Sequence, residues 1–121
     1  MAAPNILSAT TIYGKSIGSS LGTTLTTDIV TCASNKLLKV KTIIIGNTSG
    51  SDTGGTVYFY DSDAGIRTAL AYAVNVPANA SLVVLGQESP IYLEEGDQIE
   101  AGASTSGRLQ ITVSYEELDD A

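Results

Sequence analysis

The chain has 121 residues, of which 43% are apolar, and it carries a formal net charge of −7 with neither His nor Trp. This length suits one domain, the apolar fraction excludes a disordered chain, and no apolar run approaches the about 20 residues of a membrane span. With no His and with Cys32 as the single Cys, the sequence excludes His-based triads, Cys/His zinc sites and internal disulfides. We therefore expect no enzyme activity, no cofactor, no metal site and a buried Cys32. The acidic balance also disfavours nucleic acid and membrane surfaces as partners.

Short alternating apolar patterns, separated by turn residues, run through the whole chain. They predict weaker strands at about 9–17 and 25–32, and clearer ones at 37–45, 56–60, 68–76, 81–85, 91–93, 98–101 and 108–116. The spacing is typical of an all-β, single-domain antiparallel β-sandwich, jelly-roll-like, with about eight strands. We expect an N-terminal arm with the first strand or strands at 1–27, the sandwich at 28–118 and an acidic tail at 119–121.

The charge is unevenly distributed along the chain. Residues 1–41 contain four Lys and one Asp, whereas residues 42–121 contain two Arg and twelve acidic residues. Two explanations remain open for Lys36, Lys39 and Lys41: they contact the acidic face of a neighbouring subunit, or they are simply solvated.

The strand at 37–45 has two unequal faces. Strict alternation places Ile43 and Ile45 on the same side as Lys39 and Lys41, so that side is charged at its start and apolar at its end. Soluble monomers seldom leave such an apolar area exposed. We therefore expect another subunit to cover Ile43 and Ile45.

The strand at 56–60 carries Tyr58 and Tyr60 on one side, with Arg67 nearby in the sequence. Tyr is enriched in contact surfaces, so the pair could form a sugar-stacking or protein-contact face, although ordinary sheet-surface tyrosines give the same pattern. The loop at 46–55, which precedes this strand, contains four Gly that allow positive φ, and it is predicted to be a mobile hairpin tip.

Two acidic segments resemble catalytic or metal-binding patterns only in part. Residues 61–65 (Asp-Ser-Asp-Ala-Gly) start like a calcium loop, but Tyr72 occupies the twelfth position, where a bidentate acid is required. Glu94, Glu95 and Asp97 form a dense cluster within a turn, where exposed carboxylates are expected. Both segments are predicted to be turns, which disfavours a carboxylate-based hydrolase.

The order of several motifs resembles the small virion structural proteins of tailed bacteriophages, in particular those of marine and cyanobacterial phages. The similarity covers about residues 28–118, and its most specific parts are the Leu-x-x-Gly-Asp-x-Ile turn at 93–99 and the Ser-Tyr-Glu-Glu ending at 114–117. The other matching segments are Val40-Lys41-Thr42-Ile43-Ile44-Ile45-Gly46-Asn47-Thr48, the strand at 56–60, Val76-Pro77-Ala78-Asn79-Ala80-Ser81-Leu82 and Ile91-Tyr92.

This resemblance implies a non-enzymatic β-sandwich subunit of a virion, with no catalytic residues to carry over. Such subunits are capsid decoration or cement proteins, often trimeric, or parts of necks, tails and fibres. We expect a decoration subunit that is made in the host cytoplasm, forms homo-oligomers with a trimer favoured, and binds the major capsid protein or other virion proteins. The alternatives are a tail, neck or fibre component and a carbohydrate-binding, host-receptor module. The candidate contact residues are Ile43, Ile45, Tyr58, Tyr60, Lys36, Lys39 and Lys41.

Overall fold

The fold is described by a computed structural model that covers residues 12–119. All regular secondary structure in this range is β-strand, as the sequence predicted. The strands are β1 (Ile12–Ser20), β2 (Thr27–Thr31), β3 (Lys36–Asn47), β4 (Thr53–Asp61), β5 (Ile66–Val76), β6 (Ser81–Leu85), β7 (Ile91–Leu93), β8 (Gln98–Ala103) and β9 (Leu109–Asp119). In the described range, no helix is long and apolar enough to span a membrane.

The strands form two antiparallel sheets that pack face to face. The first sheet has the order β1-β9-β3-β6, with β7 also paired to β3, and the second has the order β2-β8-β4-β5. Strands that are neighbours in a sheet are often distant in the sequence, because the chain repeatedly crosses from one sheet to the other. The predicted single-domain β-sandwich is thereby confirmed.

The hydrophobic core lies between the two sheets and consists mainly of aliphatic side chains. Strand β9 follows the predicted alternation: Ile111 and Val113 are fully buried, whereas Gln110 and Thr112 are exposed. Each fully buried Val, Leu or Ile side chain contributes about 1.5–3 kcal/mol by leaving water. The other fully buried core side chains include Val40, Ile43, Ile45, Val57, Val76, Leu93, Ile99 and Leu109.

Ile43 and Ile45 belong to this core, so the prediction that they form a contact surface is wrong. Both side chains have 0% exposure within the single chain, and another subunit therefore has nothing left to cover. Ile44, which lies between them, is 39% exposed on the opposite face of β3.

A β-bulge in β3 explains the reversal. The register between β3 and β9 shifts between Val40 and Thr42, so Lys41 is an extra residue on the β3 side. An extra residue reverses which side chains face the core beyond it. Val40 faces the core before the bulge and Ile43 faces it afterwards.

The first strand is part of the first sheet along its whole length. Residues 12–20 pair with β9 without a register shift, from Ile12 opposite Leu118 to Ser20 opposite Gln110. The remainder of the predicted arm, at 1–11, and residues 120–121 of the predicted acidic tail lie outside the described residues.

The connection between β1 and β2 crosses closely over β8. A Cβ atom placed on Gly102 would lie 2.6 Å from Cα of Leu25 and 2.7 Å from the carbonyl oxygen of Thr24. The same connection is anchored by Leu21, which is 1% exposed and whose N–H donates to the carbonyl oxygen of Leu109 at 2.9 Å. Glycine at position 102 is what permits this approach.

Candidate functional site

Four side chains of the second sheet come together on its outer face. Across the β4–β8 pairing, Tyr58 is opposite Glu100, and across the β4–β5 pairing, Tyr60 is opposite Arg67. Residues directly opposite one another project to the same side of a sheet, and Tyr58 and Tyr60 alternate with the core residue Val57. We call this group, Tyr58, Tyr60, Arg67 and Glu100, the tyrosine–arginine surface.

A bidentate ion pair organises the tyrosine–arginine surface. Nε of Arg67 donates to Oε1 of Glu100 at 2.6 Å, and Nη2 donates to Oε2 at 3.3 Å. The Glu100 side chain is only 4% exposed, while that of Arg67 is 42% exposed. This hydrogen bonding raises the pKa of the Arg67 guanidinium, which also lies 4.7 Å from the centroid of the Tyr60 ring.

The geometry of this surface favours binding over acid–base chemistry. Both carboxylate oxygens of Glu100 already accept hydrogen bonds from Arg67. Tyr58 and Tyr60 are half-buried, so part of each ring is available to a flat or apolar group of a partner. The prediction that the two tyrosines contact a partner remains a prediction.

The three candidate lysines lie on β3, in the other sheet. Lys39 is opposite Glu116 on β9 and opposite Tyr92 on β7, and Nζ of Lys41 is 3.9 Å from Oε2 of Glu116. An acidic neighbour for Lys39 and Lys41 is therefore present within their own chain. A half-exposed pair of this kind contributes about 0–1 kcal/mol.

The seven predicted contact residues thus do not form one surface. Ile43 and Ile45 are in the core, Tyr58 and Tyr60 lie on the outer face of the second sheet, and the lysines follow β3 in the first sheet. The alternation pattern could not show this, because it contains no information about which strands pair.

The loop after β3 is more ordered than its composition suggested. Asn47 is 4% exposed, and its Nδ2 donates to the carbonyl oxygens of Ser51 at 2.8 Å and Val76 at 3.0 Å. Its Oδ1 accepts from the N–H of Ser49 at 2.9 Å. The glycines at positive φ in the described range are Gly65, Gly96 and Gly107, so the glycines of this loop do not adopt the positive φ that they allow.

This loop is also distant from the tyrosines. It covers residues 48–52, since β3 ends at Asn47 and β4 begins at Thr53. Tyr58 is five residues further along β4, which corresponds to about 17 Å of extended strand. The loop and the tyrosine–arginine surface therefore do not form one binding site.

The turn predicted at 61–65 is present. Oδ1 of Asp61 accepts from the N–H of Asp63 at 3.1 Å, and the N–H of Gly65, at φ +67°, donates to the Asp61 carbonyl at 2.8 Å. These are the local hydrogen bonds expected of an Asp at the start of a turn. Among the residues the structure describes, no group of three or more His, Cys, Asp or Glu is placed to hold a metal ion.

The second acidic turn is confirmed, with one correction. Asp97 is 4% exposed instead of solvated, because it joins two turns. Its Oδ1 accepts from the N–H of Ser62 at 3.1 Å, and its Oδ2 accepts from the N–H of Glu94 at 3.0 Å. Asp97 is therefore a structural carboxylate.

Sequence reasoning missed the largest exposed apolar side chains, which lie mainly on strands at the sheet margins. Ile12 and Tyr13 on β1 are 61% and 48% exposed, and Tyr72 on β5 and Val83 on β6 are 65% and 61% exposed. Alternation predicted the strands on which these residues lie but not the exposure of their side chains. A strand that ends a sheet lacks a neighbour to cover its side chains, and only the pairing shows which strands these are.

Comparisons with known proteins do not assign this chain to a family. No family model matches it, and none of the curated proteins matches it in sequence. Among solved structures it is similar to the Eiger TNF of S. frugiperda, with 10% sequence identity, 91% of this chain and 94% of that chain covered, and a TM-score of 0.43. Similarity of this degree carries no argument about function.

Proposed function

We propose that this protein is a non-enzymatic structural subunit of a tailed-bacteriophage particle, and specifically a capsid decoration subunit. The observation that carries the proposal is the set of exposed apolar side chains on strands that end the sheets. Exposed apolar margins are typical of surfaces that other subunits cover. The motif resemblance described above is the basis for placing this contact in a bacteriophage particle.

The mechanism is thermodynamic. A decoration subunit stabilises a particle because its contacts exist only in the assembled state, so each contact shifts the equilibrium towards that state. Many modest contacts on one lattice act together and give a high avidity without a large interface for each copy. Contacts of this kind involve other copies of the chain and the capsid proteins beneath them.

The margin formed by β5 and β6 is the part of the molecule best suited to the capsid contact. The two strands approach one another across the edge of the sandwich. Ile66, Tyr72 and Val74 on β5 and Val83 on β6 are all at least 36% exposed, and Val83 lies opposite the exposed Ile44 on the outer face of the first sheet. Their burial would replace the contact that the sequence had assigned to Ile43 and Ile45.

The test is co-sedimentation of the purified protein with undecorated phage capsids. We expect the wild type to bind, and a Tyr72→Ser, Val83→Ser variant to lose at least about tenfold in affinity, since each lost anchor costs about 1 kcal/mol or more. Tyr13→Ser is the matched control, because Tyr13 is a 48% exposed tyrosine on β1, at the opposite end of the first sheet. A folded wild-type protein that stays in the supernatant would contradict the proposal.

A second candidate function is carbohydrate binding at the tyrosine–arginine surface. The observation that favours it is the alignment of Tyr58 and Tyr60 beside a guanidinium held by Glu100. Such a surface can stack on a sugar ring while the cation binds its hydroxyl or acid groups. A glycan array tests it, with Tyr58→Ala as the comparison. Absence of signal with the wild type would remove this candidate.

A further inference from the structure

Strand β1 is the most exposed of the described strands. All nine of its residues are exposed, including Ile12, Tyr13 and Ile17, and it forms one end of the first sheet. Among the described residues its only strand partner is β9. One edge of β1 therefore presents backbone N–H and C=O groups that are available to another strand.

The other terminal strands carry features that discourage pairing. Strand β5 has two register shifts against β4 and a positive φ at Ala73, and β2 has a shift between Asp28 and Val30. Strands β6 and β7 are only five and three residues long. By contrast, β1 is nine residues long, pairs with β9 without any shift and contains no Pro.

The single charge on β1 does not protect its edge either. Nζ of Lys15 donates to Oε2 of Glu117 on β9 at 3.0 Å, so the charge is paired within the sheet. An inward-pointing, unpaired lysine would discourage pairing, whereas a neutralised one does so much less.

We propose that β1 pairs antiparallel with β1 of a second copy of this chain, so that the two first sheets become continuous. Such a contact is isologous, because the same strand is used by both copies. It produces a two-fold dimer and not the trimer that the motif resemblance implies. The inference does not rest on the proposed role in a particle.

The residues of β1 are self-complementary in a register centred on Ser16. In that register Ser16 is opposite Ser16 of the second copy and Gly14 is opposite Gly18 on one face, while on the other face Lys15 is opposite Ile17, whose apolar side chain can pack against the lysine stem. Ile17 then lies diagonal to Ile17 and Tyr13 of the second copy, at about 7–8 Å, within reach of an apolar contact. The two Lys15 side chains are also diagonal, each beside its own Glu117. This complementarity is why we infer a second copy as the partner.

Disulfide trapping tests the register. In a Ser16→Cys variant the two new cysteines would be directly opposite one another, at a Cα separation of about 4.5–5.5 Å, which is within the range of a disulfide. In the matched control, Ser20→Cys, they would be about 26 Å apart. Both serines are exposed. The native Cys32 is only 2% exposed, so it contributes little to disulfide formation between copies. We expect a covalent dimer of Ser16→Cys under mild oxidation, at least about tenfold more abundant than that of Ser20→Cys.

Sedimentation velocity of the full chain tests the contact itself. We expect the wild type to form dimers at up to about 100 μM and Ile17→Lys to be monomeric, because each added lysine would then lie directly opposite Lys15 of the second copy. Val83→Lys, on the other margin, should leave the dimer unchanged, and circular dichroism checks that each variant is folded. A monomeric wild type, an oligomer unaffected by Ile17→Lys, or equal trapping of the two cysteine variants would overturn the inference. Capsid binding by a protein that shows these failures would still support the proposed function.

Discussion

Glu100 shows how a single residue can be buried on the outer face of a sheet. It lies on β8, between β2 and β4, and Arg67 extends from β5 across β4 to reach it. The long apolar stem of an arginine covers what lies beneath it while its charged end remains in contact with water. The burial of Glu100 therefore depends on Arg67, and a substitution of Arg67 would remove both the cover and the partner of the carboxylate.

We expect Arg67→Ala to lower the free energy of unfolding by about 1–3 kcal/mol. Its removal leaves the buried Glu100 carboxylate without a partner, although the half-exposed position of Arg67 moderates the cost. Combining it with Glu100→Gln should recover part of the loss. Urea denaturation measures both. Lys41→Ala, which removes only the 3.9 Å pair with Glu116, is the control and should cost less than about 0.5 kcal/mol.

The burial of Cys32 should make the stability of the protein depend on pH. Burial raises the pKa of its thiol to about 11, from an ordinary value of 9.0, and its Sγ–H donates to the carbonyl of Lys36 at 3.2 Å. Because the folded pKa is the higher one, this contribution to stability is complete below pH 9 and is lost as the pH rises towards 11. We expect the unfolding free energy to fall less steeply over this interval in Cys32→Ala than in the wild type. Equal slopes of the unfolding free energy against pH in the two proteins would contradict the raised pKa of Cys32.

At the scale of the element, β3 is the most instructive strand. One side of its sequence changes from Lys39 and Lys41 to Ile43 and Ile45, and the register shift at Lys41 divides the strand into two halves with opposite inward parity. The bulge forms in the pairing with β9, and the change of character along one side of residues 37–45 is equally consistent with a regular strand whose end is covered. The apolar residues after the bulge reach the core as a result.

Alanine substitutions at two adjacent isoleucines test this geometry. Ile43→Ala should cost about 2–5 kcal/mol, because it opens a cavity in the core. Ile44→Ala should cost less than about 1 kcal/mol, since Ile44 is 39% exposed. Thermal or urea unfolding distinguishes the two. A regular β3 with the bulge absent would give the opposite order.

The approach of the β1–β2 connection to β8 gives a second test at this scale. Gly102→Ala should destabilise the protein by about 1–3 kcal/mol, because its Cβ would meet the backbone of Thr24 and Leu25 below 3.0 Å. Gly46→Ala, within β3, is the matched control: nothing lies within 4 Å of its Cβ, so its effect should stay within about 1 kcal/mol. If the two variants lose the same amount of stability, the β1–β2 connection shifts to make room for the new Cβ and the prediction is wrong.

The described residues, 12–119, form a sandwich, and the full sequence has a strong acidic bias. Its accessible surface is 6014 Å², close to the roughly 6,000 Å² expected for a folded monomer of this size. Each copy carries a formal charge of −7, so any association of two copies is opposed by long-range repulsion.

Ionic strength should therefore distinguish two modes of association. If β1 pairs with β1, raising the salt from about 20 to 300 mM should strengthen the dimer, because the repulsion is screened. If Lys36, Lys39 and Lys41 instead bind acids of a neighbour, the same change should weaken it. Sedimentation at the two salt concentrations decides between them, and dissociation at high salt would contradict the β1 contact.

The sequence by itself determined the strands and most of the turns. Alternation in β9 and the Asp-rich segment at 61–65 are local signals, because each depends on residues within one strand or one turn. The fold class follows from the number and spacing of such segments.

Only the tertiary structure decided which residues are available to a partner. Ile43 is buried because β3 bulges against β9, and Glu100 is covered because Arg67 reaches it from two strands away. The exposure of β1 likewise depends on its being the last strand of its sheet. Each of these outcomes depends on pairing between residues that are distant along the chain, and local periodicity contains no information about that pairing.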